Sequence, residues 1–211
     1  MPIHAAPFPV LTCLMLCCVV GLLAILLMPP GEEKRIKQIS ALFSGLSLVI
    51  SVGLYLAYDK QLGGYQFVEH AQWVPSLGIS YFVGVDGFAL PMLLLTGIVF
   101  FTAVLTAWTL QERVKEFFAL VFLLVAGVFG LFMSLDLFFI FVWFDVSLFP
   151  MYLLIAIWGS TRKEYGAMKL TLYLLAGSAL ILPAIIYLVV VSGLGTFDLT
   201  ALMKANVFTP G

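Results

Sequence analysis

Charged residues are scarce in this 211-residue chain, in which Asp, Glu, Lys and Arg make up 10% of the sequence and hydrophobic residues 63%. Soluble domains carry about 25% charged residues. The sequence therefore has too little charge to cover a water-facing surface, which excludes a soluble globular protein. Ten basic residues nearly balance eleven acidic ones, so a nucleic-acid partner, which needs a clustered basic surface, is not expected.

Residues that hold metals or redox groups are also few. The three cysteines (Cys13, Cys17 and Cys18) fall in one apolar stretch, where cysteine behaves as a small apolar residue. His4 and His70 are the two histidines and have no ligand partners in the surrounding sequence. A disulfide framework or a structural zinc site is not supported. The sequence also lacks a Walker loop, a dinucleotide fingerprint and a CxxC motif, so we expect neither a metal nor a cofactor in this chain.

Long apolar runs dominate what remains. About 20 apolar residues span the hydrocarbon layer of a membrane, and stretches of that kind occur six times. We therefore predict an all-α, polytopic transmembrane helix bundle that forms a single domain over residues 1–211. The predicted spans are Phe8–Met28, Ser40–Tyr58, Phe88–Trp108, Phe117–Met133, Leu137–Trp158 and Ala167–Val191.

The basic residues predict the orientation of these spans, because short loops rich in Lys and Arg stay on the cytoplasmic side. The first, third and fifth connections contain GEEKRIK, QERVKEF and GSTRKEYG. The even connections and the termini hold only Lys60 and Lys204 of the basic residues. The odd connections are therefore predicted to be cytoplasmic and both termini to lie outside.

Two outer segments have patterns of their own. The connection from Asp59 to Gly87 has β-branched and aromatic residues on both sides of a Pro-Ser-Leu-Gly break, which predicts a short hairpin. After the sixth span, Leu199, Leu202 and Met203 follow the i, i+3, i+4 spacing of an amphipathic helix on the outer face.

Asp145 is the carboxylate that lies deep in a span. It falls eight residues into Leu137–Trp158, which places it about 12 Å below the outer end of a layer about 30 Å thick. Acids at such depth are costly and face a bundle interior or a water-filled cavity. Pro150, five residues on, removes the backbone hydrogen bond to the Val146 carbonyl and gives water a place to enter. These residues favour a proton-relay acid, and the alternative is a protonated Asp145 that bonds a neighbouring helix.

The remaining polar residues of the spans have structural explanations. Lys169, two residues inside the predicted sixth span, either snorkels to the interface or helps to feed protons towards Asp145. Asp136 is expected to cap the fifth helix, and Asp86 to form a cap and turn before the third. Gly177 and Ser178 predict a close helix–helix contact.

Three stretches resemble the subunit M family of bacterial NADH:quinone oxidoreductase, respiratory complex I. They are ISYFVGVDGFALPMLLLTGI, DLFFIFVWFDVSLFPMYLLIAIWG and RKEYGAMKLTLYLLAGSALIL. The similarity runs from about Gly78 to Thr200. The same superfamily includes other complex I subunits, subunits of multisubunit sodium/proton antiporters and membrane subunits of energy-converting hydrogenases.

The resemblance implies proton translocation coupled to electron transfer elsewhere in a complex in the bacterial inner membrane. It implies NADH, flavin, iron–sulfur clusters and quinone in partner subunits, and antiporter-like membrane subunits as neighbours. Asp145 takes the place of the family's relay glutamate and is one methylene shorter. Because the family has further spans that carry the relay's other residues, the sequence is expected to be an N-terminal fragment. The alternatives are a sodium/proton antiporter subunit and a non-transporting scaffold.

Overall fold

The computed structural model describes residues 3–5, 8–29, 31–75 and 78–205. Six helices in it are long and apolar enough to cross a membrane, which confirms the predicted all-α bundle. They are α1 (Val10–Leu27), α2 (Glu33–Ala57), α3 (Ala89–Thr106), α4 (Val114–Met133), α5 (Leu137–Trp158) and α6 (Lys163–Ser192).

Three helices begin earlier than predicted. The second starts at Glu33 instead of Ser40, the fourth at Val114 instead of Phe117 and the sixth at Lys163 instead of Ala167. Each has a glutamate in its first turn (Glu33, Glu116 and Glu164), where a negative charge interacts favourably with the helix dipole. The charged residues that marked the ends of the apolar runs are thus helical themselves.

Helix α4 forms the centre of the bundle and packs against α1, α3 and α5. Its Phe118, Phe122 and Phe129 are fully buried. The Phe122 ring meets that of Phe100 on α3 edge to face, with ring centroids 4.8 Å apart. Such aromatic pairs add to the stabilisation that burial gives.

A buried row of serines on α2 was not predicted. Ser40, Ser44, Ser47 and Ser51 recur at helical spacing and are all buried. The hydroxyls of Ser47 and Ser51 donate to carbonyls one turn earlier, those of Phe43 and Ser47 respectively, at 2.9 Å. Small side chains let α2 lie close to its neighbours, as small residues do between membrane helices.

A small sheet covers the end of the bundle at which α1, α3 and α5 begin. Strands β2 (Tyr65–Val74) and β3 (Ile79–Val85) pair antiparallel, which confirms the predicted hairpin. Strand β1 (Ile3–Ala5), which was not predicted, pairs with β2 in parallel.

The short connection between α4 and α5 lies between β3 and the chain that follows α6. The Leu135 N–H donates to the Phe82 carbonyl at 2.8 Å, and the Leu137 N–H donates to the Phe197 carbonyl at 3.0 Å. The Leu199 N–H donates to the Leu135 carbonyl at 3.0 Å. These bonds join the start of α5 to segments that are distant in the sequence.

The predicted amphipathic helix forms as α7 (Leu199–Lys204), but its buried face differs from the predicted one. Thr200 and Leu202 are buried, whereas Met203 is 54% exposed. Asp198 caps the helix by accepting from the N–H groups of Thr200 and Ala201. This cap and the Leu199 bond to Leu135 fix the rotation of α7, and that rotation turns Met203 outward.

Lysines meet the carboxyl ends of the three odd-numbered spanning helices. The Lys115 ammonium donates to the Met28 carbonyl after α1 at 2.7 Å. Lys37 donates to the carbonyls of Trp108 and Leu110 after α3 at 2.8 and 2.6 Å. Lys163 donates to the Ile157 carbonyl of α5 at 2.6 Å. A cation at this position complements the helix dipole and satisfies carbonyls that have no helical partner.

Carboxylates meet the opposite ends of the same helices. Glu69 of β2 accepts from the Leu11 N–H of α1 at 2.9 Å. Asp86 accepts from the Ala89 N–H of α3 at 2.6 Å, and Asp136 from the Phe138 N–H of α5 at 2.9 Å. The odd connections thus gather at one end of the bundle, here called the basic end (residues 31–37, 108–116 and 157–163), which confirms that they share a side.

Which side the basic end faces remains a prediction. Single cysteines at the exposed residues Lys34 and Gln61, in a chain whose own cysteines are replaced by serine, should react with a membrane-impermeant maleimide from opposite sides. Lys34→Cys should be protected in intact cells, and Gln61→Cys should be labelled, because the basic connections stay in the cytoplasm. Labelling of both variants from outside would contradict the orientation, and permeabilised cells provide the control for reactivity.

Candidate functional site

Asp145 is the ninth residue of α5 and is partly buried. Its Oδ1 atom is buried and has no hydrogen-bond partner among the residues that the structure describes. A buried polar atom without a partner is costly and calls for an explanation. The atom is therefore available to a proton, to water or to a group outside these residues.

The neighbours of Asp145 in sequence show which way it faces. Trp143 and Ser147 lie against Gly127 of α4. With 100° per residue, Asp145 lies on the side of α5 opposite the midpoint of these two residues. Phe149, one turn further on that side, is 62% exposed. The carboxylate thus stands on the side of α5 that is turned away from α4.

The helical backbone is altered within one turn of Asp145. Pro150 lies inside α5 and is buried, and its missing N–H leaves the Val146 carbonyl without the usual helical donor. The Ser147 hydroxyl donates to the carbonyls of Trp143 and Phe144 at 2.9 and 2.8 Å. Such hydroxyl bonds often bend helices. Polar backbone groups therefore lie close to the acid, as the sequence predicts.

Lys169 lies deeper in its helix than predicted. It is the seventh residue of α6, about 9 Å along the axis from Lys163 at 1.5 Å per residue. Its side chain is exposed, and Nζ lies 5.9 Å from the ring centroid of Tyr165 and 6.0 Å from that of Tyr173. The rings of the adjacent turns thus flank the ammonium. Within the described part of the chain, Lys169 and Asp145 form no ion pair.

Asp136 and Asp86 have the cap positions predicted for them. Asp136 is fully buried, and its Oδ1 accepts from the N–H groups of Phe138 and Phe139 at 2.9 and 3.3 Å. Its Oδ2 accepts from the Ser80 N–H of β3 at 3.0 Å. Burial raises the pKa of Asp136, although these hydrogen bonds lower it in part. Asp136 therefore joins the start of α5 to strand β3.

The residues predicted to form a close helix–helix contact, Gly177 and Ser178, are not part of a site. A Cβ on Gly177 would meet nothing within 4 Å, and its surroundings are open, so the prediction of a close contact there is wrong for this residue. Ser178 is buried and donates to the Leu175 carbonyl. Gly177 has open surroundings because one face of α6 packs on α5 and the other face is uncovered.

The histidines and cysteines likewise form no site in the described residues, which contain no cluster able to hold a metal ion. Cys17 and Cys18 are buried as free thiols. His70 is exposed and packs its ring on Phe82, and His4 lies in β1.

Known proteins share this arrangement of helices. Residues 134–210 match the model of the family described as NADH:quinone oxidoreductase/Mrp antiporter, transmembrane, and these residues include the whole of α5 and α6. This part of the chain thus matches the family. This confirms the resemblance on which the role of Asp145 depends, although the match does not itself test that role.

The relatives of the chain include NAD(P)H-quinone oxidoreductase chain 4 proteins of cyanobacteria. The chain is 36% identical over 197 residues to one from Nostoc sp. and 37% identical over 205 residues to one from Picosynechococcus sp.. These alignments cover 92% and 96% of the chain but 36% and 37% of the relatives. The chain therefore spans little more than a third of the length of the curated relatives it matches.

Solved structures agree with the relatives. A chain of the respiratory complex I from Thermus thermophilus with bound NADH aligns with a TM-score of 0.80 and 26% identity, over 93% of this chain and 39% of that one. A chain of the Mrp complex from Dietzia sp. aligns with a TM-score of 0.68 and 18% identity, over 90% of this chain and 20% of that one. The second similarity is one of fold alone. The chain is thus a polytopic membrane protein with the fold of the antiporter-like subunits.

Proposed function

We propose that this chain contributes to proton translocation as part of a membrane subunit of an NADH:quinone oxidoreductase. The observation that carries the proposal is the Asp145 carboxylate, which lies inside a spanning helix with a buried oxygen that has no partner in the described residues. A carboxyl group in this position can take up a proton and release it when its surroundings change, because its charged form is stable only while a cation or water is near. The subunit would thus act as a translocase that contains no redox centre.

The backbone near Asp145 supports this role. A lipid-facing helix cannot leave a carbonyl without a donor, whereas a helix beside a water-filled cavity can. The Val146 carbonyl next to Asp145 has no helical donor, because Pro150 lacks an N–H. Water at this carbonyl would stand beside the carboxylate and could carry its proton.

Lys169 has a secondary role in the proposal. Its ammonium lies between two tyrosine rings on the uncovered face of α6. It therefore faces away from the interior of the described bundle, where it can meet a group of another span or subunit. From there it would feed protons towards the relay from the basic end of the bundle.

The energy for transport would come from partner subunits. The relatives are named as quinone oxidoreductase chains, and the solved relative is a complex with bound NADH. We expect NADH, flavin, iron–sulfur clusters and quinone to bind in such partners, with antiporter-like subunits as neighbours in the bacterial inner membrane. The runner-up function is sodium/proton exchange, since the family description names Mrp antiporters as well.

Isolation of the native assembly separates these functions. An affinity tag on the natural subunit should co-purify from detergent-solubilised membranes with polypeptides that carry flavin and iron–sulfur clusters. Vesicles of those membranes should acidify on addition of NADH, and a quinone-site inhibitor should abolish the acidification. Sodium-driven proton movement without NADH, in an assembly that lacks redox centres, would favour the antiporter. Movement in neither assay would favour the scaffold.

A further inference from the structure

Two glycines of α4 lie against the turn of α5 that carries Asp145. A Cβ on Gly127 would lie 3.0 Å from Ser147 Cβ, 3.1 Å from Ser147 N and 3.2 Å from the Trp143 carbonyl oxygen. A Cβ on Gly130 would lie 2.4–2.7 Å from three atoms of the Trp143 ring. The absence of side chains at both positions therefore permits this approach of the two helices.

The two glycines constrain α5 in different ways. Gly127 faces backbone atoms of α5, which cannot move aside by a change of rotamer, so it sets the distance between the helices. Gly130 faces the Trp143 ring, and a ring seated on a glycine resists rotation of α5 about its axis. Helix α4 is the most buried of the spanning helices. We therefore expect that an added methyl group on α4 would displace α5 and leave α4 in place.

Both constraints act on Asp145, which lies between Trp143 and Ser147 on the opposite side of α5. We propose that Gly127 and Gly130 are positioning residues, which set how far and in which direction the Asp145 carboxylate projects away from α4. The inference rests on the proposed function of Asp145. It gives the close approach of α4 and α5 a role in transport as well as in packing.

The test uses Gly127→Ala and Gly130→Ala in the complete subunit within its native complex. Both should assemble, and proton pumping per NADH oxidised should fall at least about threefold, since a misplacement of about 1 Å can cost far more than that. Gly53→Ala and Gly166→Ala are matched controls on α2 and α6, because a Cβ at either position would meet nothing within 4 Å. Alanine favours a helix over glycine, so lower helix propensity cannot explain a loss.

The pH profile of pumping separates positioning from simple packing. Displacing Asp145 changes its surroundings, so the pH optimum should move in both α4 variants and stay unchanged in both controls. The charged side chains on the helices packed against α5 are Lys115 and Glu116 on α4 and Lys163, Glu164 and Lys169 on α6. None of these is altered in the variants. A shifted optimum would therefore report the position of Asp145.

Normal pumping with an unchanged pH optimum in Gly127→Ala and Gly130→Ala would overturn the inference. If both variants fail to assemble, Trp143→Phe provides the answer, because it reduces the ring over Gly130 without adding volume. It should give the same shift of the optimum, and a wild-type profile would reject the inference. Failure of the proposed function looks different, since in that case Asp145→Asn itself pumps normally.

Discussion

Replacing Asp145 by Asn is expected to abolish NADH-driven proton pumping, or to reduce it more than about tenfold, while the complex still assembles. The amide has nearly the same shape as the carboxyl group but cannot exchange a proton, and positioned acids and bases commonly contribute about 10²–10⁴-fold to proton transfer. The unpartnered Oδ1 indicates that the described packing gains little from the charge. The measurement is acidification of membrane vesicles after addition of NADH, with complex content determined on native gels.

Two further variants sharpen the result. Asp145→Glu should keep pumping, because it restores the longer carboxylate that the resemblance implies for this position. Lys169→Ala should reduce pumping less than Asp145→Asn does, since its ammonium is exposed on α6. If Asp145→Asn assembles stably and pumps at the normal rate, Asp145 is a packing residue and has no part in transport.

Asp136→Ala is expected to cause the largest loss of stability among the variants considered. The change leaves the N–H groups of Ser80, Phe138 and Phe139 without the carboxylate that accepts from them. The Ser80 N–H is buried, and a buried donor left unpaired costs about 1–3 kcal/mol. The N–H groups of Phe138 and Phe139 are partly buried, and loss of such an N-cap costs about 0.5–2 kcal/mol, so the free energy of unfolding should fall by about 2 kcal/mol or more. Thermal unfolding in detergent measures the effect, and Asp59→Ala is the control, because the Asp59 carboxylate accepts from the exposed Gln61 N–H of its own turn.

The pH dependence of Asp136 has a definite sign. Its pKa in the folded chain is raised above 3.8 by burial, so the folded state binds this proton more tightly than the unfolded state does. The contribution of Asp136 to stability therefore declines as the pH rises from about 3.8 through the raised pKa. Asp136→Asn should remove this slope, although it places an amide N–H₂ against the Ser80 N–H. An unchanged slope in Asp136→Asn would assign the pH dependence to another group.

The spans could be predicted because they depend on local composition. In lipid, the backbone N–H and C=O groups of an apolar run such as that of α5 find hydrogen-bond partners only if the run forms a helix, whatever its neighbours are. The hairpin could be predicted for the same reason, because its two strands are adjacent in the sequence. Strand β1 and the bonds from Leu135 to Phe82 could not be predicted, since they join segments far apart in the sequence and leave no pattern in either one.

In the candidate site too, some residues could be predicted from the local sequence and others could not. Asp145 could be identified because a carboxylate is costly at its depth, a property of one residue and its span. The glycines that position it could not, because Gly127 and Gly177 look alike in the sequence and differ only in what faces them. Gly127 meets Ser147 and Trp143, while Gly177 meets open space.

The lysines at the basic end also bear on how the chain enters the membrane. Lys37 donates to carbonyls of Trp108 and Leu110, which are 71 and 73 residues later in the chain. Chains are synthesised at about 5–20 residues per second, so Lys37 emerges several seconds before its acceptors exist. In the predicted orientation, its charge would help to retain the first connection in the cytoplasm during that interval, and the same charge later joins α2 to the end of α3. One residue would then serve first as an insertion signal and afterwards as a structural bond, and we expect its removal to impair biogenesis at two separate times.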